Sequence, residues 1–234
     1  MNEQRQAPWI SASTAEMETR ERAFIRSVYG WMSGGLLLTA LAATWVLVSP
    51  AMQNLLFASR LPMWLLFFGE LGLVMFLSAG LRRLSPAVAA GMFLLFSLLN
   101  GLTISWIFFA FTADSIVQTF VVAAGMFGGM SVYGLVTKRD LTSWGSFFFM
   151  GLLGVVLLSV VNIFVRSSGV SFVVAVVGIF VFVGLTAYDN QKLKSFATAT
   201  GPMQANLAIY GALSLYLDFI NLFLLLLRLF GRRR

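Results

Sequence analysis

The chain has 234 residues, 59% hydrophobic and 11% charged, with 23 Phe and a mean hydropathy of +0.88, which is too apolar for an ordinary soluble domain. It has no Cys and no His, which excludes thiol nucleophiles, disulfides, haem-type ligation and the usual zinc sites. The net charge of +7 sits at the ends of apolar segments rather than on one folded face, so the basic residues read as topology determinants and headgroup contacts, not as a nucleic-acid surface.

In chain order, residues 1–26 are polar and mixed in charge and read as an N-terminal tail without a signal peptide. Apolar runs of about 20 residues follow, the length a helix needs to cross roughly 30 Å of hydrocarbon. They are expected at 27–48, 61–81, 87–109, 115–136, 144–164, 170–188 and 207–229, broken by Pro, Gly and charge. A β-barrel would instead alternate polar and apolar residues. The predicted fold is all-α: one polytopic bundle of seven transmembrane helices over 27–234. Pro50, Pro62 and Pro86 lie near helix starts or in short connections.

Lys and Arg are unequally shared between the two sides. Arg5, Arg20, Arg22, Arg26, Arg82, Arg83, Lys138, Arg139, Lys192 and Lys194 fall on one, and Arg60 and Arg166 on the other. The bias places the N-terminus in the cytoplasm. Seven crossings then put Arg232, Arg233 and Arg234 on the side the rule disfavours, so either the earlier helices fix the topology or the last segment does not cross fully. The clusters Gly30–Gly34 and Gly125, Gly128, Gly129 are expected to let helices approach closely, and Asn100 and Asn162 to hydrogen-bond between helices.

Asp218 lies inside the Leu/Phe-rich run of the last span. A carboxylate near the bilayer centre costs roughly 2.5–3.5 kcal/mol on insertion scales, so it usually faces a protein interior or a water cavity and marks an ion or proton path. At 100° per residue, Ser214, Asp218, Asn221 and Arg228 share one sector of about 80°, a polar stripe that lipid contact would leave unpaired. Arg82 or Arg83, ending the second span, and Asp189, ending the sixth, reach the same face and can pair. Glu70 lies mid-span, with Arg228 a partner for it or for Asp218. Asp189 and Asp218, if close, would titrate as a coupled pair. With nearby amide oxygens they also offer a hard-oxygen environment suited to Ca²⁺. The plainer reading of Asp189 is a helix-end cap. Without His, a pH response near neutrality would have to come from a carboxylate.

The segments Ala187-Tyr188-Asp189-Asn190-Gln191 and Leu213-Ser214-Leu215-Tyr216-Leu217-Asp218-Phe219-Ile220-Asn221-Leu222-Phe223, with seven spans and a Gly-rich fourth, resemble the Bax inhibitor-1 (transmembrane Bax inhibitor motif) family over the chain from about Arg22. The resemblance implies six helices around a central seventh, and a pH-dependent Ca²⁺ leak. It also implies a proton-sharing pair at Asp189 and Asp218, an arginine latch on Asp189 at Arg82 (or Arg83), and a second buried pair of Glu70 with Arg228. Asn190 departs from the Thr or Leu usual after the motif aspartate, and the tail ends in arginines rather than acids. The length suggests a bacterial inner-membrane member.

The leading expectation is therefore a pH-sensitive calcium leak needing no cofactor, with calcium and protons as its ions. The alternative is a membrane-embedded interaction protein that regulates a membrane quality-control protease or a stress or cell-death response, with the N-terminal segment as its handle. An enzyme is not expected. Intramembrane aspartyl proteases place Gly-x-Gly-Asp on a catalytic helix, and neither aspartate here follows that pattern.

Overall fold

The computed structural model describes the backbone of residues 8–80 and 83–234, with side chains from residue 16 onward. Its helices run α1 (Pro8–Val48), α2 (Pro50–Phe57), α3 (Leu61–Gly80), α4 (Pro86–Ile104), α5 (Ile107–Ala110), α6 (Ala113–Val136), α7 (Thr142–Val165), α8 (Ser168–Phe196) and α9 (Gly201–Phe230). Seven are long and apolar enough to cross a membrane: the greater part of α1, α3, α4 with α5, α6, α7, α8 and α9.

The boundaries follow local chemistry. Ser49, Ser85 and Ser167 cap α2, α4 and α8 by accepting from the backbone N–H of Met52, Val88 and Val170, and Pro50 and Pro86 occupy first-turn positions where no N–H is required. Gly201 opens α9 at φ +63°, a left-handed conformation that glycine adopts without steric cost. Residues 8–26, expected as a tail, continue the helix of the first span, so α1 is about 60 Å long at 1.5 Å per residue. The third span breaks at Ser105 and Trp106, where the Ser105 hydroxyl turns back to donate to the Leu102 carbonyl at 2.6 Å.

The last span, α9, packs mainly on α8, α1, α6 and α4. It is the most buried span, whereas α3 and α7 are the least buried. The expected ring of six around a seventh is thus modified: α9 is flanked closely by four helices, and a cavity separates it from α3 and α7. Helix α3 is held chiefly by α4 and α2, and α7 by α8.

Close helix approach uses other glycines than those expected. Gly30, Gly34, Gly125, Gly128 and Gly129 have open space where a Cβ would stand. Among helix glycines the approaches to a neighbouring backbone are at Gly101, against the Thr39 carbonyl and Ala42, and at Gly134, against the backbone of Ala187. Small residues can fall on the outer face of a helix as readily as the inner, and only the packing partner distinguishes them.

The chain end folds back. Thr112 N–H donates to the Arg232 carbonyl at 3.0 Å and Arg234 N–H to the Ala110 carbonyl at 3.1 Å, while Arg232 N–H donates to the Ser115 hydroxyl at 2.9 Å. The C-terminus is thereby fixed to the connection between the third and fourth spans. The start of α1, with Glu18 and Glu21, borders the connection between α8 and α9. Of the two alternatives for the arginine tail, the structure has a last helix that traverses the bundle and a tail on the opposite face from the start of α1.

Candidate ion site

Asp189, three-quarters of the way along α8, and Asp218, just past the middle of α9, line one cavity of about 660 Å³ between α3, α7, α8 and α9. The two carboxyls interact electrostatically. Asp218 is 4% exposed, and its Oδ2 is buried with no hydrogen-bond partner, the state of a polar atom that needs an ion, a proton or water to satisfy it. Ser214 and Asn221 share the cavity, as the helical stripe predicts. The Asn221 amide N–H₂ donates to its own helix at Leu217 (2.8 Å), which leaves its oxygen for the cavity.

Lys192 also lines this cavity. Read from sequence as a topology charge, it lies one turn after Asp189, and its positive charge acts on that carboxylate. Its Nζ sits 5.9, 5.6 and 5.8 Å from the ring centroids of Tyr188, Phe196 and Tyr210. Tyr188 and Phe196 are one turn either side on α8, and Tyr210 comes from α9, so the ammonium is held over three aromatic faces. The spacing of Asp189 and Lys192 was available in the sequence; the Tyr210 contact, which depends on how α8 meets α9, was not.

The latch candidates divide. Arg82 lies outside the described residues. Arg83 is exposed and makes no ion pair with Asp189; the ion pair among the described residues is Arg22 with Glu18, at 3.3 Å.

Glu70 and Arg228 are not brought together. Glu70 is buried and accepts from the Asn100 amide at 2.9 Å and from the Thr103 hydroxyl, both on α4. The Tyr216 hydroxyl donates to Asn100 Oδ1 at 2.9 Å, which sets Glu70 level with Tyr216 on α9. Arg228 is twelve residues further along that helix, about 18 Å at 1.5 Å per residue, beyond the reach of its side chain. It is exposed and lines a separate groove with Arg233 and Arg234. Mid-span burial of Glu70 is met by neutral donors on the neighbouring helix, which avoids the desolvation of a second charge.

The Glu70 chain continues. Tyr216, fully buried, lies 2.6 Å from Thr39 Oγ1, which donates to the Ser97 carbonyl at 2.8 Å. Four spans, α1, α3, α4 and α9, are joined by it. Asn100 therefore makes interhelical hydrogen bonds as expected. Asn162 does so at a turn, donating to Ser171 at 2.6 Å and accepting from Ser167 N–H at 2.9 Å.

Asn190, next to Asp189 in the chain, is fully buried. It accepts from the Tyr29 hydroxyl at 2.6 Å and donates to Ser131 at 3.1 Å and to the Thr186 carbonyl at 2.7 Å, tying α1 and α6 to α8 beside Asp189. Among the described residues no three Asp, Glu, His or Cys converge as a metal cluster. Two carboxylates supply fewer oxygens than the six to eight that Ca²⁺ takes.

Comparison with known proteins agrees with this architecture. The family described as "Inhibitor of apoptosis-promoting Bax1" matches residues 21–234. The chain is 50% identical over 217 residues to the protein named "Inner membrane protein YbhL" of Escherichia coli (strain K12), covering 91% of this chain and 93% of that one. It is 42% identical to an uncharacterized protein of Borreliella burgdorferi, covering 90% and 92% of the two chains. With the uncharacterized protein RP147 of Rickettsia prowazekii it shares 40% identity, covering 91% of each. The chain belongs to the Bax inhibitor-1 family.

Proposed function

We propose that the protein is a pH-sensitive calcium leak of a bacterial inner membrane, with Asp189 and Asp218 as the proton-responsive gate. The observation that carries this reading is the shared cavity of the two carboxyls, with Asp218 Oδ2 buried and unpartnered. The relative named as an inner membrane protein supports the location.

Helix α3, held chiefly by α4 and α2, borders the cavity on one side. In the closed state Arg82 latches Asp189 and a proton is shared across the aspartate pair. A change in that protonation alters the charge facing α3, biasing a two-state equilibrium in which α3 moves away and cations pass the carboxylates. Ser214 and Asn221 offer oxygens that replace water around the ion. The test is Ca²⁺ uptake by proteoliposomes of the purified protein between roughly pH 6 and 8. Uptake above that of empty liposomes and dependent on pH supports the leak; none at any pH rejects it.

A second reading, an interaction protein regulating a membrane quality-control protease, is favoured by the exposed start of α1. There Glu16, Glu18, Arg20 and Arg22 face solvent at the end of a helix longer than a bilayer requires. Truncation of residues 1–26, followed for protein lifetime in cells, tests it. Altered turnover with normal Ca²⁺ flux supports the handle, and unchanged turnover rejects it.

A further inference from the structure

The face opposite the start of α1 carries a second built feature that the ion gate does not use. A groove of about 350 Å³ is lined by Trp106, Phe109 and Phe111 on one side, Leu224 and Leu227 of α9 beneath, and the guanidinium side chains of Arg228, Arg233 and Arg234. No Asp or Glu is among its lining residues. Asp114, on the first turn of α6, is exposed and makes no ion pair among the described residues. Three guanidiniums gathered at one site leave an excess of positive charge even against a main-chain carboxylate at Arg234, so the arrangement suits an anion.

The tail arginines are held there by backbone geometry. Residues 232–234 form the antiparallel bridge and strap described above, and Gly231 makes the fold-back. A Cβ at that position would stand 2.6 Å from the Phe111 ring and closer still to the Leu227 carbonyl, so another residue would push the tail off Phe111. Trp106 and Phe109 are half exposed at 42% each, at the ends of membrane spans, where aromatic rings sit at headgroup level.

We propose that this groove binds the phosphate of an anionic phospholipid in the leaflet at the C-terminal face. The arginines clamp the phosphate oxygens, and the Trp106, Phe109 and Leu224 walls take the glycerol and the upper acyl chain. Apolar walls at the membrane surface favour a lipid over a soluble phosphate. The site also gives a physical reason for three arginines on the side that topology rules disfavour.

The test uses the full chain in neutral detergent, titrated with phosphatidylglycerol and read by native mass spectrometry for retained lipid and by the melting midpoint. Wild type should retain phosphatidylglycerol and melt higher with it, with little response to phosphatidylcholine or to free inorganic phosphate. Arg233→Gln with Arg234→Gln should weaken retention roughly tenfold or more. Gly231→Ala, which keeps every charge but displaces the strap, should weaken it as well. Equal retention of phosphatidylcholine, or unaltered phosphatidylglycerol retention in the double arginine variant, overturns the proposal. An equal response to inorganic phosphate replaces the lipid with a soluble anion.

Discussion

The Tyr216 hydroxyl lies 2.6 Å from Thr39 Oγ1 and 2.9 Å from Asn100 Oδ1, so one aromatic side chain of the last helix bonds to both the first and the third spans. With the Thr39–Ser97 bond, the two hydroxyls make three contacts with only two protons. The Thr39 proton is therefore shared between the Ser97 carbonyl and the Tyr216 oxygen. Tyr216 donates on to Asn100, whose amide donates to Glu70.

Tyr216→Phe removes this link while keeping the ring against Phe93 and Phe96. It leaves Asn100 Oδ1 short of a donor, and thermal unfolding in detergent should show a loss of about 1–3 kcal/mol. The pH profile of Ca²⁺ flux should stay where it is, because the chain ends on Glu70 rather than on the aspartate cavity. A displaced profile would mean that the two polar systems act as one.

Asn190→Leu replaces the buried amide with an apolar side chain of similar size. It removes the acceptor of the Tyr29 hydroxyl and the donor to Ser131, and should destabilise the fold by about 2 kcal/mol. Tyr29→Phe added to it should restore part of that loss, since both partners of one bond are then gone. Full additivity of the two losses would contradict the shared bond.

Lys192→Met keeps an unbranched chain against Tyr188, Phe196 and Tyr210 but removes a positive charge that acts on Asp189. The cavity becomes more negative, and Ca²⁺ entry should rise several-fold at fixed pH. Unchanged flux would show that the ammonium does not compete with the passing ion.

Asp140 lies outside the membrane. Its carboxylate, hydrogen-bonded by Thr142 through the side chain first and the backbone second, titrates below the usual carboxylate range, and its Oδ1 accepts from Thr142 N–H at 2.8 Å. A depressed folded-state value means that its contribution is present above the ordinary value of about 3.9 and is lost as pH falls through the folded one. Asp140→Asn should therefore alter the melting midpoint slightly near neutrality, with the difference from wild type vanishing in strong acid. A difference that persists there would assign the effect to something other than this charge.

Much of the fold was legible because seven apolar runs are a one-dimensional signal, and Asp218 stood out as one carboxylate in a Leu/Phe helix. The stripe of Ser214, Asp218 and Asn221 follows from helical spacing alone. The partner of Glu70 was not legible. It depends on the height and angle at which α3, α4 and α9 pass each other, which helical periodicity does not encode, and Arg228 lies twelve residues along α9 and about 120° around it from Tyr216. Lys192 was hidden by its place among the charges that set topology. The tight crossings at Gly101 and Gly134 were likewise masked by more conspicuous glycine clusters that face outward.

The central claim is that Asp189 and Asp218 gate the ion together. Its most direct test is Ca²⁺ uptake by proteoliposomes across roughly pH 6 to 8, with Asp189→Asn and Asp218→Asn beside the wild type. The account predicts a pH-dependent flux in the wild type that becomes independent of pH in both variants. A profile left intact by Asp218→Asn would contradict it, and would reduce the buried aspartate to a packing residue.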